Sequence, residues 1–116
     1  MSKNESNIQK LDPKIMKNVE DSANNAVAKL AGNKVYKGLW ISYWEIENCV
    51  PQTSYLVGFS NGLAPVCWMT VNSSQLESLM NILKCTWIYV KWEEGQPANI
   101  VYIRGVTGKP IPTTPL

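Results

Sequence analysis

The run Val35-Tyr36-Lys37-Gly38-Leu39-Trp40-Ile41-Ser42-Tyr43-Trp44-Glu45-Ile46 decides the fold. Its apolar residues recur with a period of two, the repeat of a β-strand. Val35, Leu39, Ile41 and Tyr43 fall on one face, and Tyr36, Trp40, Trp44 and Ile46 on the other. Large apolar groups on both faces predict one long strand covered on both sides. Gly38 inside it predicts a bulge or sharp bend, the device by which small barrels turn corners.

Downstream, short strand patterns follow one another. Asn48 to Ser54 reads as a loop around Pro51, Tyr55 to Phe59 as a second strand, and Ser60-Asn61-Gly62 as a turn. Val66 to Val71 reads as a third strand. A helix follows, capped by Asn72-Ser73-Ser74, with Ser74 and Glu77 at capping-box spacing and a stripe of Leu76, Leu79, Met80 and Leu83. Thr86 to Trp92 is a fourth strand, Glu94-Gly95-Gln96-Pro97 a turn, and Asn99 to Arg104 a fifth strand. Residues 107–116, with Pro110, Pro112 and Pro115, read as an extended tail.

Upstream, residues 1–11 read as a flexible start and residues 12–32 as one helix. Asp12 suits the N-cap, Pro13 the first helical position, and Gly32-Asn33 the stop. Ile15, Met16, Val19, Ala23, Ala26, Val27 and Leu30 give it one apolar stripe, weak because of its alanines. It packs on its own domain or associates with a partner or another copy.

The predicted class is mostly β with helices. The order β-β-β-α-β-β over residues 35–106 is that of a five-stranded OB-fold, a Greek-key barrel, here preceded by an amphipathic helix. An open α+β sheet of the same order is the alternative.

Composition narrows the chemistry. The chain has 116 residues, suited to one domain, with 45% hydrophobic and 17% charged residues. Histidine is absent, which removes Ser-His-Asp and Cys-His catalysis and imidazole metal sites. Cysteines 49, 67 and 85 form no CxxC and read as buried free thiols. A net charge of +2 is too small to argue for nucleic acid. No apolar run reaches the roughly 18 residues of a membrane span, and the first residues lack the apolar core of a signal peptide. The expected compartment is the cytoplasm, or outside the cell if the chain is a mature form.

All eleven aromatic residues lie after residue 34, in a part holding five basic and five acidic residues. Most of the five tryptophans are expected in the core or an interface. Tyr36, Trp44 and Trp92 are the expected exposed members and could stack on sugar rings, with Lys37, Ser42 and Asn99 supplying polar contacts. Glu45 and Glu47 share a strand face, as a glycosidase pair would, but the reading preferred is a solvated strand end. No catalytic residue, metal or cofactor is expected.

Two stretches carry a resemblance. One is Tyr36-Lys37-Gly38-Leu39-Trp40-Ile41-Ser42. The other runs from Cys67 to Val106 and contains Met69, Asn72-Ser73-Ser74, Gly95-Gln96-Pro97, Ile100-Val101-Tyr102 and Gly105-Val106. Over residues 35–106 the chain resembles the B subunits of AB5 bacterial toxins of the subtilase cytotoxin and typhoid toxin group. That resemblance implies an OB-fold that assembles into a homopentameric ring, binds sialylated glycans and holds a separate catalytic A subunit, and is itself no enzyme. Two departures stand out. The serine of that family's glycan pocket falls at Lys37. The family's disulfide, which joins a cysteine at Cys67 to one at Val57, is absent, with Cys49 a conceivable replacement.

The function expected is therefore a non-enzymatic, glycan-binding, toxin-B-like module forming a pentamer. The alternatives are a cytoplasmic protein-interaction module of the inhibitor or immunity type and a single-strand nucleic-acid-binding OB-fold.

Overall fold

In the computed structural model, residues 10–30, 32, 34–48 and 53–107 are described. The expectations for residues 1–9, Cys49, Pro51 and the tail beyond residue 107 lie outside them. The elements are α1 (Pro13–Ala28), β1 (Tyr36–Ile41), β2 (Tyr43–Asn48), β3 (Ser54–Ser60), β4 (Cys67–Asn72), α2 (Ser73–Leu83), β5 (Trp87–Glu93) and β6 (Asn99–Val106). The protein is mostly β with two helices. Its six strands form one sheet in the order β1-β5-β6-β4-β3-β2.

The sheet curls into a half-barrel. Its two outermost strands, β1 and β2, follow each other in sequence with only Ser42 between them. β1 pairs antiparallel with β5 and β2 antiparallel with β3. At the turning point the Ser42 N–H donates to Ser60 O at 2.9 Å. β4 and β6 meet in parallel at the single pair Trp68 and Asn99.

The strand count thus differs from the five expected, because the long first strand breaks at Ser42. Gly38 makes no bulge in the β1–β5 ladder. It sits in an unbroken ladder opposite Lys91, and the irregularity beside it lies between β5 and β6, at Lys91/Trp92. The break at Ser42 also shifts the side-chain alternation by one residue. Trp40 and Trp44, placed on one face by strict alternation, part company: Trp44 packs on the main core and Trp40 under α1. A one-residue slip exchanges the faces of a strand, so a kink of one residue does the same downstream.

The main core lies on the concave side. Val57, Phe59, Cys67 and Val90 are sealed there, with Leu79 and Leu83 of α2. Each such Val, Leu or Phe contributes about 1.5–3 kcal/mol by leaving water. α2 starts at Asn72, whose side chain accepts from the Gln75 N–H at 2.8 Å while the Gln75 side chain accepts from the Asn72 N–H at 2.9 Å. The capping box therefore joins Asn72 and Gln75, not Ser74 and Glu77. The Ser74 hydroxyl instead donates to Asn72 Oδ1.

A smaller cluster lies on the outer side. α1 begins as its sequence predicts, with Pro13 in the first turn and the Asp12 carboxylate accepting from the Lys14 N–H at 2.8 Å. It lays Val19 and Ala23 on Tyr89, Trp40, Tyr102 and Val106. Ile15 and Leu30, at the ends of the stripe, stay exposed. α1 packs on its own domain.

Candidate functional site

Alternation along β3 and β4 builds the candidate site. Val57 and Phe59 of β3, and Cys67 and Val71 of β4, point into the core. The residues between them, Leu56, Gly58, Trp68 and Thr70, therefore face outward. Gly58 and Trp68 are directly opposite in the ladder. A β-carbon on Gly58 would stand 3.1 Å from Trp68 Nε1 and 2.9 Å from Pro65 Cβ. The indole and the proline ring close over the bare glycine, and only glycine leaves room for both.

The opposite wall is the turn between β5 and β6. Gly95 holds φ +153°, a conformation that favours glycine. The Trp68 N–H donates to Ala98 O at 2.9 Å and fastens this turn beside β4. Between turn and sheet runs a solvent-open groove of about 660 Å³. Trp68, Pro65, Val66 and Leu56 give it an apolar floor, and Thr70, Gln96 and Asn99 offer a hydroxyl and two amides. Every residue lining it is uncharged. The nearest charges along the chain are acidic: Glu94 precedes Gly95, and Glu47 lies opposite Leu56.

The six residues singled out from sequence do not form one site. Asn99 lines the groove. Trp92 faces the main core, only 9% exposed, and Trp44 packs half-buried against the same core. Tyr36 and Lys37 lie at the start of β1, opposite Glu93 and Trp92. Lys37 is committed there to an ion pair, Nζ to Glu94 Oε2 at 2.7 Å. Beside it Lys34 Nζ meets Glu93 Oε2 at 2.9 Å, and this hydrogen bond and the carboxylate charge raise the Lys34 pKa. Ser42 is exposed at the kink, at the other end of β1.

Trp68 is the residue that sequence reasoning missed. Its signal was available: a tryptophan between inward-facing Cys67 and Met69 must face outward, and a glycine in the neighbouring strand leaves it a shelf. Glu45 and Glu47 are both exposed on β2, and Glu45 accepts from the Tyr43 hydroxyl at 3.1 Å. Burial and this hydrogen bond raise the Tyr43 pKa. Cys67 and Cys85 are free thiols. In the ladder Cys67 is opposite Phe59, and Val57 is opposite Met69.

Among the described residues no three His, Cys, Asp or Glu side chains gather as a metal site requires. No described helix is long and apolar enough to cross a membrane. A second, smaller cavity of about 230 Å³ lies between α2 and the sheet, with Met69, Leu79, Ile82 and Ile103 among its walls. Compared with known proteins, the chain matches no family model, no curated protein and no solved structure.

Proposed function

We propose that this protein is a non-enzymatic binding module, an OB-type barrel whose outer groove takes an uncharged carbohydrate. The observation that carries the reading is the Trp68-floored groove. Sugar rings present C–H faces that pack on an indole, and their hydroxyls exchange hydrogen bonds with amides and hydroxyls such as those of Gln96, Asn99 and Thr70. A groove without basic residues gives a nucleic-acid backbone nothing to neutralise. The OB reading is supported by counting Tyr36–Asn48 as one bent strand: its first half pairs with β5, its second half with β3, and the sheet order then runs through five strands back to its start.

The resemblance to toxin B subunits extends the proposal to a homopentameric ring that could carry a separate catalytic subunit. Exposed apolar side chains outside the groove, such as Val35 and Leu63, would be covered between neighbouring copies. A protein-interaction module is the second reading, favoured by the full exposure of Leu63 at the turn between β3 and β4.

The test is a glycan panel read by calorimetry with wild type and the Trp68→Ala and Lys37→Ala variants. Binding of neutral glycans that Trp68→Ala abolishes and Lys37→Ala leaves intact supports the groove. Binding indifferent to Trp68, or no binding to any glycan, overturns it. Light scattering tests the ring separately, through a mass near five times 13.0 kDa.

A further inference from the structure

We propose that Tyr89 and Lys91 form a carboxylate-binding site over Gly38, on the outer face of the sheet and apart from the Trp68 groove. Both residues are more than nine-tenths buried, at 6% and 8% exposure. Both belong to β5 and, two residues apart, lie on one face. The ladder sets Lys91 between Gly38 of β1 and Tyr102 of β6. Because residue 38 has no side chain, the tips of Tyr89 and Lys91 converge on one spot. Lys91 Nζ lies 3.4 Å from the point where a β-carbon of residue 38 would stand, and the Tyr89 hydroxyl presses on the same point.

Neither tip has a partner among the described residues. The ion pairs of that region join Lys34 to Glu93 and Lys37 to Glu94, so both acids at the end of β5 are already engaged. Among the described residues none forms a hydrogen bond to the Lys91 ammonium or the Tyr89 hydroxyl, and neither tip is sealed from solvent. The Lys91 stem is buried while its ammonium keeps contact with water, and beside it lies a second unused donor that one anion would reach together with it. One positive charge and one hydroxyl suit a monoanionic carboxylate, with one oxygen on Nζ and the other on the phenol. Burial, and then the charge of Glu20, raises the Tyr89 pKa, so the phenol stays protonated and able to donate. Packing fixes the ring: Trp40 lies 5.0 Å away between centroids, tilted by 52°.

The carboxylate could belong to an acidic sugar or to a peptide, and the test separates the two. Wild-type full-length chain is titrated with acetate, glucuronate and N-acetylglycine at constant ionic strength, with chloride as reference, and amide shifts are followed by NMR. Saturable one-to-one binding is expected, with the largest shifts at Gly38, Tyr89 and Lys91. Lys91→Met should weaken it about tenfold or more, and Tyr89→Phe less. Lys91→Arg, which keeps the charge, should retain it, and Trp68→Ala should leave it unchanged. The tighter of glucuronate and N-acetylglycine identifies the source. Should Lys91→Met prove unstable, the Tyr89→Phe and Lys91→Arg pair decides. Absence of saturable binding by all three anions, or binding indifferent to both Lys91 and Tyr89, overturns the proposal.

Discussion

The indole of Trp68 rests on the backbone of Gly58, its Nε1 3.1 Å from where a β-carbon there would stand. Pro65 closes on the same glycine. Gly58→Ala therefore forces both rings off the strand. Overpacking of this kind costs about 1–3 kcal/mol. We expect a lowered urea midpoint and a shifted tryptophan emission, together with loss of binding by the groove. An alanine variant as stable as wild type and binding equally well would mean that the shelf under Trp68 is not needed.

The elements were legible in the sequence because their signals are local. Asp12-Pro13 marks the start of α1, the period-two runs mark the strands, and the leucines at helical spacing mark α2. The faces were not legible past Ser42. A single kinked residue reverses the alternation, and nothing in Ser42 itself announces a kink, whereas Gly38 misleadingly does. Little of the candidate groove is legible in the sequence: of the six candidates Asn99 alone lines it. The engagement of Lys37 is not legible because its partner, Glu94, is remote in sequence and is brought near only by the ladder between β1 and β5.

Among the described residues α1 is tied to the sheet by one directed bond, from Trp40 Nε1 to Glu20 Oε2 at 2.8 Å. A hydrogen bond to a charged acceptor is worth about 1.5–3 kcal/mol, and partial exposure here favours the lower end. Glu20→Ala alone would also change the helix, so the pair is best measured as a double-mutant cycle with Trp40→Phe. A coupling of about 1 kcal/mol or more is expected in urea unfolding. A coupling near zero would show that α1 is held by Val19 and Ala23 alone.

The start of α2 offers a contrast among Asn72, Gln75 and Glu77. Asn72→Ala removes the acceptor for the Gln75 N–H and should cost about 1 kcal/mol. Gln75→Ala removes the return bond to the Asn72 N–H. Since the two bonds support one geometry, the double variant should lose less than the sum of the single losses. Glu77→Ala, at the position that capping-box spacing from Ser74 would select, should change stability little. A larger loss at Glu77 than at Asn72 in urea unfolding would contradict the cap described here.

Cys67 is wholly buried opposite Phe59, and this burial pushes its thiol pKa from about 9 to about 12. The thiolate, not the thiol, is the nucleophile. At pH 8 a thiol reagent should therefore leave Cys67 unmodified in the folded chain and label it once denaturant is added, as peptide mass mapping would show. Linkage gives a second consequence. Between pH 9 and 12 the unfolded chain loses this proton while the folded chain keeps it, so the unfolded state binds fewer protons and stability falls as pH rises. Below pH 9 both states hold the proton and the contribution is constant. Cys67→Ala removes the titration, leaves a smaller side chain in the core, and should lower stability at pH 8 while flattening the decline above pH 9. An unchanged alkaline decline in Cys67→Ala would assign it to other groups, and rapid labelling of Cys67 in the folded chain would mean that the strand pair β3–β4 opens far more readily than its sealed core implies.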